Sequence, residues 1–205
     1  MSSAHAPSRR ERRARLPACL ARFRRARSGV AAIEFALVLP VMLLLWFGMV
    51  EVTVALNLDR KVTILSRTVA DLVGRETTTD ARRLGEIFDA ATAVMVPFEH
   101  RNVEIVVTSV FVSRNSENAI VGRVCWSRTR PVAGSTRLAH RAGDPMPVPT
   151  GFDHPGSSFI VAEVFAPYRP SVGSGVVGEI TLSERTAWPV RNAPQVTFET
   201  LACPT

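Results

Sequence analysis

A chain of 205 residues has room for one domain and an appendage. Its net charge of +7 resembles that of a nucleic-acid binder, but nine arginines against Glu11 put +8 into residues 1–28 and leave 7 − 8 = −1 for the rest. A basic tail with Phe23 as its one aromatic, abutting a long apolar run, argues against nucleic-acid binding and for retention at a membrane. Lys and Arg within about 15–20 residues of a span hold that end in the cytoplasm.

The run after the tail predicts a transmembrane helix over 30–58. From Phe35 to Val50 sixteen residues pass without a charge, and between Val30 and Leu58 only Glu34 and Glu51 interrupt. The 21 steps from Val30 to Glu51 make roughly 32 Å of helix, about the thickness of a bilayer core. Pro40 lies inside the run, which a membrane helix tolerates with a kink. A cleaved secretory signal needs a shorter apolar core and a small-x-small site, which "FGMVEVTVALNL" does not offer. A plain anchor leaves Glu34 unexplained. A carboxylate costs about 2.5–3.5 kcal/mol at the centre of a span and less at its edge, and is a functional-site hypothesis wherever it occurs.

The residues around Glu34 carry a resemblance. Gly29, Val30, Ala31, Ala32, Ile33 and Glu34 are similar in spacing to type IV prepilins and their Tad/Flp relatives. Those proteins have a basic leader, a glycine cut by a prepilin peptidase, and a glutamate at the fifth mature position. "SGVAAIEFALVLPVMLLLWFGMVEV" more specifically resembles the TadE family of pilus-assembly pseudopilins, with its G-x-x-A-x-E-F-A-L-x-L-P pattern. The resemblance implies a leader over 1–29, cleavage between Gly29 and Val30, and assembly determinants at Glu34 and Phe35. It implies as partners the prepilin peptidase, sibling pseudopilins and the inner-membrane Tad platform, with the major Flp pilin a further candidate. The implied setting is the inner membrane, crossed once, with the N-terminus cytoplasmic, the C-terminal domain periplasmic and the protein in or at the base of the pilus. Cleavage would leave a charged amine on Val30, one helical turn from Glu34 and near the positive end of the helix. In a bundle the carboxylate can also pair with a neighbour's amine.

Beyond the span, Leu58, Val62, Leu65, Val69 and Leu72 form a seam of period 3.5, too short for an independent coiled coil and expected to pack on the chain's own domain. Gly74 is the expected stop. A second amphipathic helix is expected from Thr79 or Asp80 to Val96, with Leu84, Ile87, Phe88, Ala91 and Met95 on one face and Pro97 after it. Period-two patterning then predicts strands over 102–113, 120–127, 158–168 and 178–188, with 195–199 as a short edge strand. Residues 128–157, with five prolines, read as a long exposed loop. The expected fold is α+β: a long transmembrane helix leading into a small domain over 59–205 with a second helix and an antiparallel sheet of four or five strands, as in pilins.

Cys19 lies in the tail, and Cys125 and Cys203 lie beyond the span, in an oxidising compartment if the tail is cytoplasmic. Cys125 and Cys203 are a candidate disulfide pair, with two unpaired thiols the alternative. No arrangement for catalysis or cofactor binding is evident. "GSGVVG" (173–178) matches a dinucleotide fingerprint but precedes strand-like residues instead of a helix. The four histidines show no metal-ligand spacing, and Asp144, Asp153, His154, Ser157 and Ser158 lack a nucleophile-elbow sequence. The chain is expected to be no enzyme, to hold no metal or cofactor, and to bind no nucleic acid. An uncleaved, membrane-anchored periplasmic binding or structural domain is the alternative.

Overall fold

The computed structural model describes residues 28–135, 137–171, 175, 178–200 and 203, in two units that divide after Met49. The leader and most of "GSGVVG" lie outside the described residues. The first helix, α1, runs Ser28–Gly74 with Pro40 inside it.

In the first unit every described side chain from Gly29 to Met49 is exposed. Leu37, Leu44, Leu45 and Met49 each show 70% or more of their surface. Each such side chain in water forgoes about 1.5–3 kcal/mol of burial. The helix has a mean hydropathy of 2.4 over its most apolar window and is long enough to cross a membrane. A single-pass membrane anchor is the role that this composition suits.

In the second unit the α1 seam turns inward. Leu58, Val62, Leu65 and Val69 are buried together with Ala70 and Val73, while Leu72 packs at the edge of the same cluster. Ser66 is buried among them and its hydroxyl donates to the Ala162 carbonyl at 3.0 Å, a polar group satisfied within the core. The helix stops at Gly74, where a Cβ would come within 2.9 Å of the Pro189 carbonyl oxygen. A two-residue strand, β1 (Thr78–Thr79), follows, and Asp80 caps the second helix, α2 (Ala81–Thr92), by accepting from the Arg83 amide at 2.7 Å. Leu84, Ile87, Phe88 and Ala91 form its buried face, and a 3-10 turn (Ala93–Met95) carries Met95 into the core.

Five strands form one antiparallel sheet: β2 (Glu104–Arg114), β3 (Ile120–Thr129), β4 (Pro145–Met146), β5 (Ser158–Tyr168) and β6 (Ile180–Pro189), in the order β4-β3-β2-β5-β6. The fold is therefore α+β. Asn115 closes the β2–β3 hairpin, its side-chain oxygen accepting from the Glu117 and Ala119 amides. A bulge at Ser109/Val110 leaves Cys125 outside the ladder, beside Trp126 on the core side.

Two expectations change. Residues 195–199 supply no edge to this sheet: β7 (Thr197–Phe198) pairs in parallel with β1 as a separate ribbon. Nor is 128–157 simply exposed, since it contributes β4 and lays Met146, Val148 and Phe152 against Val110, Val112, Val124, Phe159 and Val161. The physical reason is that β2 and β5 are apolar on both faces. One face meets α1 and α2, and the other needs the loop.

Candidate functional site

Gly29, Val30, Glu34 and Phe35 all lie in the first two turns of α1, and all are exposed. A Cβ at Gly29 would meet nothing within 4 Å. Val30 and Glu34, four residues apart, share one face, about 6 Å apart along the axis. Glu34 is flanked by the exposed apolar side chains of Ile33, Phe35, Leu37 and Val38. A single carboxylate on a greasy face is poised to meet a cation at the membrane edge or on a neighbouring helix.

Glu51, the acid that ends the charge-free run, belongs to the second unit. Its carboxylate accepts from the Tyr168 hydroxyl at 2.6 Å. Burial, together with this carboxylate's hydrogen bond and negative charge, pushes the Tyr168 phenol up to about 12. Further along α1, Asp71 accepts from the Trp188 indole at 2.9 Å and pairs with Arg75 and Arg191. Burial pushes its carboxyl up, but the hydrogen bonds from Arg75 and Trp188 and the charges of Arg75 and Arg191 outweigh it and hold the group below its ordinary value. Both acids tie α1 to the β5 and β6 side of the sheet.

Cys125 and Cys203 are joined by a disulfide with a Cα–Cα distance of 4.5 Å. The same C-terminal segment is held by the Trp126 indole, which donates to the Val196 carbonyl at 2.7 Å. Phe198 packs on Trp126 and lies under the Arg128 guanidinium, 4.0 Å from its ring centroid. The cysteines sit in the second unit and the Gly29–Phe35 group in the first, each described in its own frame.

The polar residues of the 128–157 loop do not assemble into a triad. Ser157 donates to the His154 carbonyl and Ser158 to the Pro194 carbonyl, each at 2.6 Å, and Asp144 accepts from the Arg141 amide at 3.1 Å. Among the described residues no group of His, Cys, Asp and Glu is placed to hold a metal.

Patterning alone does not reveal a cleft of about 760 Å³ on the outer sheet face, between β2, β5, β6 and the loop over 132–140. Arg137 pairs there with Glu104, and His140 meets Glu163 at 2.7 Å. Its residues come from three strands and a loop, so no local sequence spacing links them.

The model of the TadE-like protein family matches residues 29–71. No curated protein and no solved structure matches the chain. The matched stretch opens on Gly29, includes Glu34, and closes on Asp71 after the buried seam of α1. It implies a setting in Tad pilus assembly, in association with a membrane. The helix from Gly29 to Asp71 is thus a TadE-like sequence, the part of the chain in which its family resemblance resides.

Proposed function

We propose that the chain is a minor pseudopilin of Tad/Flp pilus assembly. It inserts with its basic tail in the cytoplasm, is cut after Gly29 by a prepilin peptidase, and works through its N-terminal helix without catalysis of its own. The observation that carries this reading is the TadE-like match beginning at Gly29, with a carboxylate five residues later on an otherwise apolar exposed helix. Glu34 then pairs with the new amine of Val30 or of a sibling, and Phe35 packs in the same helix interface. The second unit lies in the periplasm, where the Cys125–Cys203 disulfide suits an oxidising environment. Partners on this reading are the peptidase, sibling pseudopilins, the Tad platform and the major Flp pilin.

The outer-face cleft favours a second reading, an uncleaved anchor that presents a periplasmic binding domain. Intact mass or N-terminal sequencing of the membrane-extracted protein, expressed with the peptidase, separates the two. A new N-terminus at Val30 supports the pseudopilin. Survival of Arg9 to Gly29 in the mature protein overturns it.

A further inference from the structure

The floor of the outer cleft is acidic and aromatic, and its loop wall is basic. Glu104 on β2 and Glu163 and Phe165 on β5 all point to the outer face, as the register pairing Glu104 with Phe165 requires. Arg137, from the loop, fits that floor through two independent contacts. Its guanidinium pairs with the Glu104 carboxylate, and its central carbon lies 3.5 Å above the centroid of the Phe165 ring. A carboxylate beside an aromatic face is the arrangement that selects a planar guanidinium over a point-charge ammonium. Next to it, Glu163 takes His140 at 2.7 Å and Arg185 at 3.7 Å.

Two features show that the seat is larger than its present occupant. The cleft keeps about 760 Å³ open beside Arg137, and Glu179 on its rim makes no ion pair among the described residues. Leu138, next in the chain after the seated arginine, is 86% exposed, an apolar side chain that the fold itself leaves uncovered. Arg137 is 39% exposed and Glu104 22%, so the ion pair between them is wet enough to exchange.

We propose that the floor formed by Glu104, Phe165 and Glu163 is a docking seat for an arginine-bearing segment of a partner protein, and that Arg137 occupies it in cis until that partner displaces it. The partner's arginine takes the place above Phe165, and an adjacent apolar residue of the partner packs where Leu138 now stands exposed. Charge complementarity names the occupant. The cleft is lined by three carboxylates, Glu104, Glu163 and Glu179, against Arg137 and His140, so it offers more acidic than basic groups to a cationic segment.

The test uses the full chain in detergent micelles with its disulfide intact, and a fluorescent peptide of the loop's own sequence STRLAH, residues 135–140. STKLAH and STELAH peptides are measured alongside. Arg137→Ala should bind STRLAH at least tenfold more tightly than the unsubstituted chain, and STKLAH several-fold more weakly than STRLAH. Adding Glu104→Gln to Arg137→Ala should remove the gain. Arg137→Met, which keeps an apolar stem over Phe165, should show a smaller gain and guards against a general loosening of the loop. The proposal is overturned if Arg137→Ala gains nothing, if Lys and Arg peptides bind equally, or if the gain survives Glu104→Gln. Each of those outcomes reduces Arg137 to a structural contact of the loop and leaves the reading of the N-terminal helix unaffected.

Discussion

The Tyr168 hydroxyl and the Glu51 carboxylate, 117 positions apart, meet at 2.6 Å and join the end of β5 to the helix where its charge-free run ends. Tyr168 is the only tyrosine in the chain, so its titration can be followed without overlap. A phenol raised from 10.0 to about 12 contributes stability in full below its unfolded value and loses it as pH rises through the folded one. Near-ultraviolet absorbance should therefore show the phenolate appearing close to pH 12, and Glu51→Gln should lower that midpoint only part of the way, because burial, the largest cause of the shift, remains. Tyr168→Phe should cost about 0.5–1.5 kcal/mol in denaturant unfolding, or somewhat more because it leaves a charged acceptor without this donor. An unshifted phenol in the native chain would contradict the contact.

Asp71 has the opposite sign. Its folded pKa lies below the ordinary 3.8, so it contributes stability above that value and loses it as pH falls through the folded one. Asp71→Asn retains an oxygen that can accept from the Trp188 indole but gives up the charge facing Arg75 and Arg191. Both arginines are about half exposed, so solvent screens the pairs and the cost at neutral pH should be about 0.5–1 kcal/mol. Thermal melts across the acid range should show a shallower loss of stability for Asp71→Asn than for the parent. Equal acid slopes would remove Asp71 from the account.

The disulfide links positions 78 apart, and closing such a loop in the unfolded chain is worth about 4–5 kcal/mol in the chain-entropy model. Cys203→Ser should lower the unfolding midpoint by a corresponding amount while leaving the membrane anchor inserted. The Trp126–Val196 hydrogen bond and the β1–β7 pairing remain, so the loss should fall on global stability more than on native architecture. Non-reducing electrophoresis with thiol labelling of the extracted protein checks the pairing first. Quantitative labelling of both cysteines without a reductant would refute it.

What could be read from the sequence was whatever repeats at short range. The seam from Leu58 to Val69, a helix cap at Thr79 or Asp80 and the runs of β-branched and aromatic residues in β2 and β5 each announce themselves within a dozen residues, and the structure buries the seam and the strands and makes Asp80 the cap. The glycine-to-glutamate spacing of the anchor is equally local. What escaped depends on topology. Pro145 and Met146 form a strand only because β3 has an edge to offer, and Thr197–Phe198 abandons the main sheet because β1 lies within reach. The loop over 128–157 looks polar and proline-rich, yet three apolar residues in it answer an outer face whose apolarity becomes meaningful only once the sheet order is known. Asp71, Glu104 and Arg137 each read as ordinary surface charges until Trp188 and Phe165 are brought beside them.

A last prediction concerns Glu34. If its carboxylate serves assembly, Glu34→Ala removes a charge from an exposed apolar helix and should insert at least as well as the parent, because an edge-of-span acid opposes insertion. On the proposed function the peptidase acts at the junction before Val30, four residues from Glu34, so cleavage of Glu34→Ala should also proceed. Pili should nevertheless be absent, since the helix has lost the one acid it can offer to a neighbour's amine. Glu34→Gln separates charge from hydrogen bonding: loss of pili with Gln as well identifies the ion pair, whereas rescue by Gln points to a neutral contact. The measurements are membrane fractionation, intact mass for a Val30 N-terminus, and electron microscopy of surface pili in the same cells. Normal pili from Glu34→Ala, with the protein correctly processed, would sink the pairing mechanism and leave the helix a simple anchor.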